Sequence, residues 1–218
     1  ETAVMLARMA TGNHEVIALR HSYSGRSHLA TTMTAHSPYR GLPDMTVGVR
    51  HALAPYCYRC PLKLKPESCG VACAQGWGRT GSKWWGIEQW GVTPDIMTMA
   101  KGAANGIPMG ITITTPDIAK KWKGLTISTF GGNPVSCEAN MGVIDVIEDQ
   151  NLLENCTKMG NILRSRLEKM QERFKCIGDV RGMGLMQACE LVTDRDTKEP
   201  DATTAKKLFE ATRELGLL

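Results

Sequence analysis

Lys101 closes the apolar run Ile96-Met97-Thr98-Met99-Ala100 and opens the turn Lys101-Gly102-Ala103-Ala104-Asn105-Gly106-Ile107-Pro108. A lysine amine acts as a nucleophile when burial or a neighbouring cation keeps it neutral, and it then condenses with an aldehyde to a Schiff base. The run before Lys101 argues against free solvation of its charge, and Gly102 lets backbone or ligand come close. A lone lysine at a strand end is ordinarily a solvated surface group, so the chemistry needs support from the surrounding words.

Three other groupings compete for attention. Cys57-Tyr58-Arg59-Cys60 and Cys69-Gly70-Val71-Ala72-Cys73 bring four thiols that could hold zinc tetrahedrally, but zinc ribbons separate their pairs by more residues, so reduced loop thiols are the preferred reading and no metal is assigned. Gly76-Trp77-Gly78-Arg79-Thr80-Gly81 matches the dinucleotide fingerprint literally, with Asp95 at roughly the ~20-residue spacing of a ribose-binding acid. Such a loop must run straight into a helix, whereas Ser82 to Gly91 holds Trp84, Trp85, Trp90 and two glycines. The histidines His14, His21, His28, His36 and His51 have no paired spacing for a metal or a triad, and no serine sits on a glycine-flanked elbow.

The elements that must position Lys101 follow from periodicity. Ala3, Val4, Ala7 and Ala10 predict an opening helix stopped by Gly12, and Val16 to Leu19 reads as a buried parallel strand. His21 to Thr31 reads as a polar loop, and Pro38 to Ala74 as an excursion without a helix. Ile96 to Met99 and Met109 to Thr114 form strand, turn, strand around Lys101. Thr115-Pro116 and Asn133-Pro134 each open a helix with a cap residue and a proline in the first turn. Met159, Leu163, Leu167, Met170 and Phe174 predict the buried face of an amphipathic helix, Ile177 to Val192 returns to strand, and Ala202 to Leu215 is helical with Gly216 as its stop. The switch near Gln150 divides the chain into 1–150 and 151–218.

Composition narrows the class. The chain has 218 residues, 42% hydrophobic and 22% charged, with a net charge of +4, so neither a disordered tail nor a strongly basic nucleic-acid binder is indicated. No run is apolar and long enough to span a bilayer, which speaks against a membrane partner. Eight cysteines without a secretory leader imply reduced thiols, in the cytoplasm or alternatively the mitochondrial matrix. Both ends read as cut inside an element.

Thr93-Pro94-Asp95-Ile96-Met97-Thr98-Met99-Ala100-Lys101-Gly102 followed by Asn105-Gly106-Ile107-Pro108-Met109-Gly110 closely resembles the lysine motif of the class III, pyridoxal phosphate-dependent aminotransferases. Gly76-Trp77-Gly78-Arg79-Thr80-Gly81 resembles the glycine-arginine turn that precedes that lysine in the family. Ser128-Thr129-Phe130-Gly131-Gly132-Asn133-Pro134 is similar to the phosphate-contacting segment, and Gly178-Asp179-Val180-Arg181-Gly182-Met183-Gly184-Leu185 to a turn of the small domain. The four motifs stand in the family order.

The resemblance implies an α/β fold: a large domain with a mostly parallel sheet and helices on both faces, then a smaller α+β domain, both incomplete. It implies pyridoxal 5'-phosphate as cofactor, carried by Lys101 as a Schiff base, and transfer of an amino group between an amino or ω-amino acid and a 2-oxo acid, in the manner of the alanine–glyoxylate or 4-aminobutyrate types. Lys101 would also shuttle the substrate proton. Tyr23, in His21-Ser22-Tyr23-Ser24-Gly25, matches the aromatic residue stacked on the pyridine ring, with Gly25 beside it, although Ser24 replaces a frequent histidine. Thr129 matches the hydroxyl that reaches the phosphate from a neighbouring subunit, which implies a homodimer. The chain departs from the pattern in lacking the phosphate loop before the first helix, the strand whose aspartate pairs with the pyridine nitrogen, which would fall between Ala74 and Gly76, and the C-terminal strand bearing a carboxylate-binding arginine. The alternative is a non-catalytic chain derived from an aminotransferase, truncated or spliced, with structural zinc in its cysteine loop.

Overall fold

A computed structural model describes residues 1–41, 47–54, 56–59 and 78–217. The chain divides into two compact units, Glu1–Ala72 with Thr93–Ile144, and Cys73–Val92 with Asp145–Leu218.

In the first unit, helix α1 (Thr2–Thr11) buries Leu6 and half-buries Ala3, Val4, Ala7 and Ala10, the expected stripe. It stops at Gly12, whose φ of 72° lets its N–H turn back onto the Arg8 carbonyl at 2.9 Å. Strand β1 (Val16–Leu19) pairs in parallel with β2 (Val49–Ala52), Val16 opposite Val49 and Leu19 opposite Ala52. Between them His28–Met33 forms helix α2, in place of part of the polar loop expected there. That segment has no apolar stripe; the helix is set instead by Ser27, whose hydroxyl accepts the Ala30 N–H, and by burial of Ala30 and Thr32. The stretch from Pro38 to Ala74, expected as an excursion outside the core, contributes β2 to that parallel ladder, beside the 3-10 turns Ser37–Tyr39 and Cys57–Arg59, and holds no α-helix among its described residues.

Strands β3 (Ile96–Met99) and β4 (Ile111–Thr114) pair antiparallel, Ile96 opposite Thr114 and Met99 opposite Ile111. β4 begins two residues later than its apolar run; Asn105 (φ 43°) and Gly106 (φ 103°) turn the chain, and 108–110 lie outside regular structure. Helices α3 (Pro116–Ala119) and α4 (Pro134–Asp149) follow where the proline-opened helices were expected. Among the described residues the parallel component of the α/β fold is the β1–β2 ladder; β3–β4 and the hairpin of the second unit are antiparallel, each in a two-stranded sheet of its own.

In the second unit, helix α5 (Leu152–Arg173) packs on the hairpin β5 (Ile177–Met183) and β6 (Met186–Leu191). Its covered stripe runs through Leu153, Cys156, Gly160, Leu167 and Gln171, whereas Met159, Leu163, Met170 and Phe174, all but Leu167 of the face expected inside, are exposed. Gly160 decides the rotation. A Cβ there would lie 2.4 Å from the Gly184 carbonyl carbon, so the hairpin turn seats against the one position without a side chain.

Arg181 lies between Asp179 and Glu190, at 2.6 and 2.9 Å, across the hairpin. Arg195 closes the far end of α5 by donating to the carbonyls of Phe174 at 2.9 Å, Lys175 at 3.1 Å and Gln171. Helix α6 (Ala202–Glu214) starts at Asp201, whose carboxylate accepts the Thr204 N–H at 2.9 Å, and stops at Gly216. Its apolar residues Leu208, Phe209 and Leu215 are exposed, since the hairpin is covered chiefly by α5.

Candidate active site

β3 delivers Lys101 to its end and the chain then turns sharply. Ala100 is extended, Lys101 takes φ 59°, and Lys101–Ala104 form a single 3-10 turn. Positive φ at a non-glycine residue costs on the order of 1–3 kcal/mol and persists where the surroundings hold it. Here the hold comes from Ala103 and Ala104, 2% and 1% exposed, and from Asn140 of α4, whose Nδ2 donates to the Ala103 carbonyl at 2.7 Å. The apolar run was expected to shelter Lys101; instead the turn buries the two alanines and leaves the lysine exposed.

Lys101, Gly102 and the segment from Asn105 to Met109 line an open concavity of about 560 Å³. That volume falls within the range of ~300–1,000 Å³ usual for small-molecule sites. A Cβ added at Gly102 or Gly106 would meet nothing within 4 Å, so the space beside both glycines is open. Among the described residues no carboxylate pairs with Lys101. The amine is reachable from this concavity, as attachment of the pyridoxal phosphate aldehyde requires, while the shelter expected from the apolar run is not found there.

Tyr23 is half exposed and makes a T-shaped contact with Tyr39, with centroids 5.6 Å apart and planes at 69°; His36 meets Tyr39 in the same way from 5.1 Å. Gly25 takes φ 124°, and a Cβ there would press on the Ala30 methyl at 3.1 Å. The loop is pinned to the end of α2: the Ala35 N–H donates to the Ser22 carbonyl at 3.0 Å, and buried Thr34 accepts the Ser24 N–H. Thr129 lies in an exposed segment between almost fully exposed Leu125, Ile127 and Phe130. That segment enters α4 through Asn133, whose Oδ1 accepts the Ser136 N–H at 3.0 Å and whose Nδ2 donates to the Phe130 carbonyl at 2.8 Å.

All four expected site residues belong to the first unit, yet Tyr23, Gly25 and Thr129 are not among the residues lining the Lys101 concavity. Thr34 bonds the loop that carries Tyr23, Tyr39 meets the Tyr23 ring, and Asn140 bonds the turn that starts at Lys101; none carried a local signal, since each meets a partner distant in sequence.

From Gly78 onward the glycine-arginine turn is a packing device of the second unit. The Arg79 carbonyl accepts the Leu185 N–H at 2.8 Å and the Cys156 thiol at 3.1 Å, and it lies 2.4 Å from where a Gly184 Cβ would stand. The next regular element is the 3-10 turn Gly86–Trp90, so no α-helix N-terminus follows to face a pyrophosphate, and the dinucleotide reading fails. Cys60, Cys69 and Cys73 of the zinc reading, with Gly76 and Trp77, lie outside the described residues.

A family model described as aminotransferase class-III matches residues 71–218. The chain is 33% identical to alanine–glyoxylate aminotransferase 2 homolog 2, mitochondrial, of Arabidopsis thaliana, over all of this chain and 57% of that protein. The match runs over 271 residues against the 218 of this chain, so the relative carries residues inside the matched span that have no counterpart here. Among solved structures, an (S)-enantioselective omega-transaminase from Thermomicrobium roseum superposes with a TM-score of 0.87 at 26% identity, covering all of this chain and 64% of that one. An amine transaminase from an uncultivated Pseudomonas species, solved in its PLP-bound form, gives 0.84 at 25% identity over 94% of this chain and 62% of its own. The chain thus spans about three fifths of the proteins it matches from end to end.

Proposed function

This chain belongs to the class III aminotransferases, and we propose that the protein moves an amino group between an amino or ω-amino acid and a 2-oxo acid with pyridoxal phosphate as cofactor. The observation that carries the reading is Lys101, held at positive φ by buried neighbours and exposed on an open concavity in a lysine motif of the family. Strain at a residue that does no packing itself is the kind of feature functional sites retain.

In this reading Lys101 Nζ would hold the cofactor aldehyde and, as a free amine, would move the proton at the substrate carbon bearing the amine. Bound pyridoxal phosphate supplies the electron sink that this proton transfer needs. Tyr23 offers its ring for stacking, oriented by its T-shaped contact with Tyr39, and Gly25 keeps the backbone beside it clear of a side chain. Thr129 offers its hydroxyl to a phosphate across a homodimer interface; the exposed Leu125, Ile127 and Phe130 around it are surface that a second copy would cover. Residues 1–150 are assigned to the cofactor-binding part and 151–218 to the smaller domain, although Cys73–Val92 and the stretch from Asp145 fall in the second compact unit.

No helix among the described residues is long and apolar enough to cross a membrane. Of the two compartments that suit reduced thiols, the cytoplasm and the mitochondrial matrix, the second has the support of the Arabidopsis relative's name.

The test is titration of the purified protein with pyridoxal phosphate, followed by an amino donor. A visible absorption band that shifts when the donor is added, and that is lost in Lys101→Ala, is expected. Protein that stays colourless at saturating cofactor overturns the reading.

A further inference from the structure

Helix α4 carries polar side chains along one face. Asn133, Ser136 and Asn140 stand at i, i+3 and i+7, which places them in a row spanning about 10 Å of helix. At one end Asn133 Nδ2 donates to the Phe130 carbonyl at 2.8 Å and to Ser136 Oγ at 3.1 Å. At the other, Asn140 Nδ2 donates to the Ala103 carbonyl at 2.7 Å, 37 residues away in the chain. Asparagine is a poor choice for a helix interior. Here its amide serves a neighbouring turn.

We propose that Asn140 is a positioning residue for Lys101, and that α4 joins the lysine turn and the Thr129 segment into one rigid piece. The inference rests on the reading of Lys101 given above. The Ala103 carbonyl lies two residues beyond Lys101, on the same 3-10 turn that keeps Lys101 at φ 59°. Gly102 contributes no steric restraint, since the space around it is open; the turn is held by its long backbone bonds, Ala103 N–H to the Ala100 carbonyl at 3.4 Å and Asn105 N–H to the Gly102 carbonyl at 3.3 Å, by the burial of Ala103 and Ala104, and by the Asn140 bond. Without that bond a buried carbonyl loses its side-chain donor, the strained φ loses a restraint, and the backbone that sets the direction of the Lys101 side chain is freed.

The experiment compares the full chain with Asn140→Ala and with Asn140→Asp, which keeps the shape and removes the donor. Two readouts are taken on each. One is the yield of pyridoxal phosphate fixed to Lys101 by borohydride at subsaturating cofactor. The other, without cofactor, is the rate at which an acylating reagent labels Lys101 relative to exposed Lys123, mapped by peptide masses. Both variants are expected to lose about tenfold in cofactor fixed at Lys101, to change the Lys101 to Lys123 labelling ratio at least about twofold, and to keep the wild-type helical signal. If the alanine variant loses that signal, the aspartate variant decides. Equal fixation by wild type and variants overturns the inference. Wild type that fixes no cofactor at Lys101 overturns the functional reading instead, and an unchanged labelling ratio would then overturn the inference as well.

Discussion

Thr34 Oγ1 accepts the backbone N–H of Ser24 across 2.9 Å from a position with no solvent exposure, and the same hydroxyl lies 2.9 Å from the Ala30 carbonyl. One side chain therefore ties the loop that presents Tyr23 to the end of α2. Thr34→Val keeps nearly the same shape and leaves the Ser24 N–H without its acceptor. It is expected to cost about 1–3 kcal/mol in urea unfolding and to speed amide exchange at Ser24, whereas Thr34→Ser should restore most of the loss.

Two helical glycines should respond in opposite directions. A Cβ at Gly160 would collide with the backbone of Gly184 at 2.4 Å, while one at Gly142 of α4 meets nothing within 4 Å. Gly160→Ala is expected to lose about 3 kcal/mol or more, because two backbones must part. Gly142→Ala should gain about 0.5–1 kcal/mol through helix propensity. Denaturant midpoints of the two variants check both signs.

Arg195→Ala should loosen the end of α5, where one guanidinium serves the carbonyls of Gln171, Phe174 and Lys175. The site is exposed, so the expected loss is about 1 kcal/mol, and Arg195→Lys should recover little because an ammonium lacks the planar fork. Thermal unfolding with amide exchange at the last turn of α5 separates the two.

Acid should unwind α6 before the rest of its unit. The Asp201 carboxyl is held below the ordinary aspartate value of 3.8 by its hydrogen bonds from Thr204, and Asp194 is held low chiefly by the Thr197 N–H. A lowered folded-state pKa means stabilisation that is full above 3.8 and is lost as the pH falls through the folded value. Helical signal should therefore decline below that point, and Asp201→Asn should flatten the decline. A pH titration by circular dichroism shows either outcome.

The strand–turn–strand around Lys101, the hairpin at Arg181 and the helices opened by Thr115-Pro116 and Asn133-Pro134 were legible because their signals are local: apolar runs, caps and glycines. Helix α2 was not, since it has no apolar stripe and depends on the Ser27 cap and on burial of Thr32. The rotation of α5 was not legible either. Periodicity marks an apolar face at Met159, Leu163 and Met170, but the absence of a side chain at Gly160 draws the hairpin onto the neighbouring face. Lys101, Tyr23 and Thr129 are candidates from their motifs; Asn140 and Thr34, which bond the lysine turn and the tyrosine loop, had no such signal, because their partners lie 37 and 10 residues away.

Peptide mapping after borohydride reduction of the protein with pyridoxal phosphate tests the central claim most directly. The phosphopyridoxyl mass should fall on the peptide containing Lys101, and Lys101→Ala should leave the mapped lysines unmodified. A tag on another lysine, or on none, contradicts the assignment of Lys101 as the cofactor-bearing amine.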